Sequence, residues 1–257
     1  MRTLAVIPAR LGATRLPRKP LRLLAGAPLI VRVWERVTSM IDAASRCIIA
    51  TDSREILDAS RAAGAEAVLT SEHHPSGTDR VAEVAARAEY AGYDVIVNVQ
   101  GDEPFIAGAA LAGAVVMVDT RGFELGTAAA MANPQVLDDP NVVKVVTAED
   151  GRALYFSRAP IPFLRDARDA RLASTRAQLV RQHIGIYAYE PAALQRWVSL
   201  EPHALERIEQ LEQLRPLAAG MSMGVATIDE PAPRGIDTEE DLIWANEHWS
   251  EFTSERA

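Results

Sequence analysis

Short apolar, β-branched runs closed by turn residues recur along the chain, and amphipathic stretches separate them. Leu4–Ile7, Arg46–Ala50, Glu66–Leu69, Val95–Val99, Leu125–Met131, Val142–Thr147 and Met223–Ile228 read as strands. Pro28–Met40 carries Leu29, Ile30, Val33, Trp34 and Val37 on one helical face. Arg54–Ala63, Val81–Ala91 and Ala109–Asp119 read as further helices, the second of these four starting behind a cap from Asp52 or Ser53. Up to Met131 the order is therefore βαβαβαβαβ, with one further strand to Thr147, which predicts an α/β fold with a mostly parallel central sheet flanked by helices. Beyond it the pattern loosens. Ala153–Phe163 predicts an edge strand or irregular chain, Leu164–Ala177 a loop, and Gln182–Tyr189 a half-buried strand. Ala204–Leu217 predicts one helix with Leu205, Ile208, Leu211 and Leu214 inward. A last helix begins near Gly235–Leu242, where Asp237 or Thr238 can cap and Glu240 or Asp241 can close the box.

The strand Val95–Val99 is the one that carries chemistry out of the sheet. It ends in Gln100-Gly101-Asp102-Glu103-Pro104, so two carboxylates arrive at a strand's carboxyl end, where open α/β sheets bind ligands. Two readings stand at that point: a polar turn, or a ligand for a hard cation such as Mg²⁺ beside a phosphate. The turn after the first strand, Ala9–Pro20, holds Arg10, Arg15, Arg18 and Lys19 and no acid. Such a cluster is either a solvated basic loop or a cradle for a polyanion, and its place after the first strand favours the cradle, with Arg10, Arg15 and Lys19 as donors. The spacing is not that of a Walker loop. Ser76-Gly77-Thr78 combines an N-cap with groups suited to a base or ribose, whereas His73-His74 lacks a third partner at metal-ligand spacing.

Composition narrows the functional class. With 257 residues, 48% apolar and 24% charged, the chain suits a single large domain, ordered except at Ser250–Ala257. A net charge of −8 argues against a nucleic-acid or anionic-membrane surface. One cysteine, Cys47, in an apolar run, excludes an intrachain disulfide and fits the cytoplasm. No apolar run reaches membrane-spanning length.

Five motifs in one order then carry a resemblance: IPARLGATRLPRKPL (Ile7–Leu21), SGTDR (Ser76–Arg80), NVQGDEP (Asn98–Pro104), ALYFSRAPIP (Ala153–Pro162) with HIGIYAY (His183–Tyr189), and LEQLR (Leu211–Arg215) with GIDTEEDL (Gly235–Leu242). From about Leu4 to Leu242 the chain resembles the 3-deoxy-manno-octulosonate (KDO) cytidylyltransferases, the CMP-KDO synthetases of lipopolysaccharide precursor synthesis. The resemblance implies a Rossmann-like nucleotidyltransferase fold with a smaller dimerisation and acceptor subregion at about 150–200, and a cytoplasmic homodimer that uses Mg²⁺, CTP and KDO. By position it implies Arg10, Arg15, Lys19, Ser76, Thr78, Arg80 and Gln100 around CTP. Gln100, Arg158, His183, Tyr187, Glu212 and Gln213 fall in the sugar-acid pocket, and Asp102 and Asp237 on the metal; Arg10, Lys19, Asp102 and Asp237 form the catalytic set. Arg18 departs from the family, where this position is usually small and often glycine. That departure keeps open an acylneuraminate or an amino-substituted octulosonate as acceptor; a non-catalytic nucleotide-sugar sensor is a further alternative. No general base is assigned.

Overall fold

The computed structural model describes residues 1–12, 15–132, 136–166, 168–232 and 234–254. Its chain forms two compact units, Met1–Ile106 with Pro233–Ala257, and Ala107–Ala232. The second unit contains the subregion expected at about 150–200 and is larger than it.

In the first unit the chain makes β1 (Thr3–Ala9), the two-residue strands β2 (Leu23–Leu24) and β3 (Ala27–Pro28), α1 (Leu29–Thr38), β4 (Arg46–Thr51), α2 (Arg54–Ala62), β5 (Ala67–Leu69), α3 (Gly77–Ala85) and β6 (Val95–Val99). The strands stand in the order β6-β1-β4-β5 with every ladder parallel. β1 and β6 are buried along nearly their whole length, which is why they read as continuous apolar runs and not as alternations. α1 and α3 pack on β1. Ser53 and Ser76 cap α2 and α3, their hydroxyls accepting from Ile56 N at 3.4 Å and Asp79 N at 3.2 Å.

The second unit comprises α4 (Gly108–Asp119), β7 (Leu125–Met131), β8 (Lys144–Thr147), β9 (Ala153–Ser157), α5 (Ala170–Leu179), β10 (Arg181–Tyr189), α6 (Pro191–Ser199), α7 (Ala204–Glu209), α8 (Leu214–Ala218) and β11 (Met223–Ile228). Here β11 runs parallel to β7, β10 antiparallel to it, and β8 and β9 form an antiparallel pair. The last helix, α9 (Glu239–Ser254), belongs to the first unit.

Four expectations are corrected. The segment read as a loop at Leu164–Ala177 contains α5, capped by Asp169, whose Oδ1 accepts from Arg171 N and Leu172 N. α5 buries none of its residues, so it left no apolar stripe to find. The single helix read over Ala204–Leu217 is two, broken at Gln210, which adopts a left-handed φ of 54°. Pro216 explains the break: in a continuous helix it would remove a hydrogen bond and clash with the preceding turn, whereas it is tolerated in the first turn of α8. Ile208 is accordingly 79% exposed, not inward. The helix read over Val81–Ala91 starts earlier, at Gly77, and ends at Ala85 with a short 3₁₀ turn, Ala88–Tyr90, after it. The end of the chain is helical to Ser254. Asn133–Asn141, whose proline, aspartate and asparagine content predicts a turn, lies partly outside the described residues.

Candidate active site

Two strand ends and one helix start build the site. β1 delivers Pro8, Ala9 and Arg10, β6 delivers Gln100, Gly101 and Asp102, and the chain entering α9 delivers Asp237; all line one cavity of about 310 Å³ with Arg15 and Lys19. Gly101 is required by contact: a Cβ there would lie 2.9 Å from the Pro8 carbonyl oxygen, so only glycine lets the ends of β1 and β6 meet. Thr238 and Asp241 make the capping box of α9, Asp241 Oδ2 accepting from Thr238 N at 2.9 Å and Asp241 N donating to Thr238 Oγ1 at 3.2 Å. Capping thus consumes neither oxygen of Asp237.

Those oxygens, with Asp102, surround a cation. The Lys19 Nζ donates to Asp102 Oδ2 at 2.6 Å and to Asp237 Oδ1 at 2.9 Å, and Arg15 Nη2 donates to Asp237 Oδ2 at 3.0 Å. Burial works against the charge on Lys19, yet the two carboxylates outweigh it and hold its pKa above the ordinary lysine value. Beside it Arg18 sits in the left-handed region at φ 58°, a conformation that L side chains disfavour; its guanidinium pairs with Glu55.

The two carboxylates fit a divalent cation. Among the described residues no three His, Cys, Asp or Glu are grouped as a self-sufficient metal cage. Mg²⁺ needs no such cage, because it keeps waters and takes one or two carboxylates plus substrate phosphates. The Lys19 ammonium is a stand-in: one positive centre already reaches both Asp102 and Asp237 at contact distance.

Glu103, read from the sequence as the second carboxylate after β6, differs from Asp102 in its surroundings. Its Oε2 is buried without a hydrogen-bond partner, and burial, with Asp102 and Asp237 nearby, pushes its pKa up to about 8. Glu103 is therefore a neutral acid at pH 7. Because the folded protein holds that proton and the unfolded chain releases it near pH 4.5, the stability it confers falls as pH rises between those values and is flat above about 8. Glu103→Gln is expected to stabilise the metal-free protein at pH 9 by on the order of a few kcal/mol, with the difference vanishing near pH 4. Urea denaturation at pH 4, 7 and 9 checks this, and a pH-independent difference would refute it.

A smaller cavity of about 160 Å³ adjoins in the same unit, lined by Arg10, His74, Ser76, Gly77, Arg80 and Gln100 among others. Arg10 and Gln100 are common to both cavities. Arg80 is buried and donates to Asp52 Oδ2 at 2.6 Å, so Asp52 serves Arg80 while Ser53 does the capping. Thr78 is buried in the first turn of α3 and does not line the cavity. His74 does, held by Glu83 Oε2 at 2.6 Å. Burial would raise the Glu83 carboxyl, but the Ser71 amide, Arg87 and His74 together bring it down to about 2.

The remaining predicted residues belong to the second unit. His183 packs edge-on against Phe156, 5.0 Å between centroids, and lies 5.5 Å from the Tyr187 ring. Burial drives the His183 pKa down to about 3, so the ring is neutral. Thr127 Oγ1 donates to Ile186 O at 2.7 Å and so accepts from His183 Nε2 at 2.9 Å, which leaves His183 Nδ1 an acceptor. Burial also raises Tyr187 well above its ordinary value, with Tyr189 and Glu212 adding to the effect. Arg158 spends Nε on Glu209 O at 2.8 Å and Nη1 on Pro140 O at 2.8 Å, while Glu209 Oε2 accepts from its amide. Gln213 is buried at the start of α8, next to Glu212. Lys144, buried in β8, donates to the carbonyls of Asp139, Val142 and Arg158 and so fixes the chain around Arg158.

The sequence model of the cytidylyltransferase family matches residues 4–223. A 3-deoxy-manno-octulosonate cytidylyltransferase of Gemmatimonas aurantiaca is 59% identical over 97% of this chain and 95% of its own length. One of Pseudomonas fluorescens is 47% identical over 92% of this chain and 94% of its own. The solved structure of CMP:2-keto-3-deoxy-manno-octonic acid synthetase complexed with CTP is similar at a TM-score of 0.85 and 34% identity, covering 98% of this chain and 99% of that one.

Proposed function

Because this chain belongs to the cytidylyltransferase family and, within it, to the 3-deoxy-manno-octulosonate cytidylyltransferases, we infer that it joins CMP from CTP to KDO and releases pyrophosphate. The observation that carries the reading is the Lys19 ammonium held between Asp102 and Asp237, at the carboxyl ends of β1 and β6. The product is an activated sugar acid for lipopolysaccharide synthesis, and the use of CTP supports a cytoplasmic location. Among the described residues no helix is long and apolar enough to cross a membrane.

The anomeric hydroxyl oxygen of the sugar acid attacks the α-phosphorus of CTP and loses its proton to solvent, the bond from that phosphorus to the bridging oxygen breaks, and pyrophosphate leaves. Both reactants are anions, so their approach is opposed until their charge is offset. Arg10, Arg15 and Lys19 face the triphosphate as donors, with Ser76, Arg80 and Gln100 lining the adjoining space for the nucleoside. Asp102 and Asp237 would hold Mg²⁺, which would neutralise phosphate charge and make the attacking hydroxyl more acidic. The His183 imidazole, neutral and fixed by Thr127, accepts a hydrogen bond from a sugar hydroxyl at Nδ1; with its pKa near 3 it is too weak a base to take the proton. His183→Ala is expected to raise the KM for KDO about tenfold, roughly one lost hydrogen bond, with a smaller change for CTP. A larger effect on CTP would reverse the assignment.

Pyrophosphate release across the four nucleoside triphosphates, with KDO, an acylneuraminate and an amino-substituted octulosonate, tests the function. Release with CTP and KDO above the other pairs is expected; release with another acid alone, or none, overturns the reading.

The homodimer is part of the same proposal. Supporting it, Phe163 is 81% exposed and Leu172 and Leu179 are exposed beside it, around a cleft of about 610 Å³ in the second unit. A mass of twice 27.9 kDa by light scattering is expected, and Phe163→Asp is expected to shift it toward the monomer. A wild-type monomer at micromolar concentration would remove the dimer.

A further inference from the structure

Asp102 and Asp237 are remote in sequence, and something must hold them at a spacing that one cation bridges. We infer that Phe105 and the aromatic residues Trp244, Trp249 and Phe252 of α9 are positioning residues that set this spacing. The inference rests on the cytidylyltransferase reading of the site.

Phe105 follows Asp102 by one turn of chain, and α9 opens directly after Asp237 and its capping threonine. The Phe105 ring is buried and meets three rings of α9: Trp244 edge-on at 6.0 Å, Trp249 at 5.9 Å and Phe252 edge-on at 4.6 Å. Edge-to-face contacts between large rings are directional, so they fix the roll of the helix as well as its distance. Cations seal the cluster from outside. Arg36 lies over Phe252 at 5.6 Å, and its Nε donates to Ile106 O at 2.9 Å, gripping the same loop from its far end. Arg32 lies over Trp249 at 5.3 Å and Arg234 over Trp244 at 5.1 Å.

On the site side the two loops are joined through the backbone. Ile236 N donates to Asp102 O at 3.0 Å, and Gly235 passes so near Glu103 that a Cβ would lie 3.1 Å from its Oε1. Asp237 N donates to Asp241 Oδ2 at 3.1 Å, which ties the backbone of Asp237 to α9 while its carboxylate reaches Lys19 and Arg15. A roll or slide of α9 is therefore passed to Asp237 through Asp241 and to Asp102 through Ile236. None of the four aromatic residues lines the cavity of Lys19, Asp102 and Asp237, so their effect on it is transmitted and not direct.

Trp249→Ala and Phe252→Ala, which loosen the outer end of the cluster, test this together with Phe105→Leu and the conservative Trp249→Phe. The readouts are calorimetric binding of CTP with Mg²⁺, the Mg²⁺ concentration for half-maximal pyrophosphate release, the KM for KDO and the melting temperature. In the two alanine variants and Phe105→Leu, the CTP dissociation constant and the Mg²⁺ requirement are expected to rise on the order of tenfold. The KM for KDO stays within twofold, and Trp249→Phe retains wild-type CTP binding. Variants that melt earlier yet bind CTP and Mg²⁺ as the wild type does would overturn the inference. So would losses that affect CTP and KDO equally in proportion to the unfolded fraction. A wild-type protein that releases no pyrophosphate from CTP rejects the function itself, whereas an active wild type whose CTP binding ignores the cluster rejects only the positioning role.

Discussion

Asp102→Asn is expected to lower kcat by about a thousandfold while the protein still folds. An amide of the same shape keeps the turn after β6 but carries no charge, and a neutral oxygen is a poor partner for Mg²⁺. The fold tolerates the change because Asp102 is partly exposed and Lys19 keeps Asp237 Oδ1 at 2.9 Å. The melting temperature is expected to shift by no more than a few degrees, roughly the effect of a weak, partly solvated ion pair. Pyrophosphate release at saturating CTP, KDO and Mg²⁺ gives the answer. Turnover near that of the wild type would remove Asp102 from the metal, and an unfolded variant would show that the side chain is structural.

Lys19→Ala is expected to reduce kcat/KM for CTP about a hundredfold, the loss of one well-placed charged donor in a partly buried site. A second effect has the opposite sign. Without the ammonium, Asp102 and Asp237 lose the cation that joins them while Arg15 stays on Asp237, so a free divalent cation meets less competition. The Mg²⁺ concentration for half-maximal rate is therefore expected to fall while CTP use deteriorates. Lys19→Arg should rescue little, since a planar fork cannot sit as a point charge between two oxygens. Initial rates over a grid of CTP and Mg²⁺ separate the two effects. CTP kinetics unchanged by Lys19→Ala would take Lys19 out of the phosphate site, and a raised Mg²⁺ requirement would mean that the lysine and the metal do not share a position.

The strands were legible wherever burial on both faces forced a run of apolar, β-branched residues. β6 matches its reading at Val95–Val99 and β11 at Met223–Ile228, and β4 extends its own only to Thr51. Helices were legible where the sequence carries an apolar stripe. α1 has one, with Leu29, Ile30, Val33 and Val37, and was found; α5 buries nothing and was missed. The break between α7 and α8 was written at Pro216, but the regular leucine spacing around it masked the signal. In the site, the cations of the first turn and the carboxylates after β6 and before α9 stood out as charge at strand and helix ends. The proton on Glu103 did not, because its departure from ordinary carboxylate behaviour comes from burial, which a one-dimensional pattern cannot express.

The sequence by itself determined the class of chain, the family it belongs to and the side chains available for chemistry, because these depend on local pattern and residue identity. Only the tertiary structure decided that Thr238, not Asp237, caps α9, that Lys19 stands between Asp102 and Asp237, and that burial leaves His183 neutral while Thr127 leaves its Nδ1 an acceptor. Hydrogen-bond partners and protonation states are set by distance and burial between residues far apart in the chain, and folding alone brings those residues together.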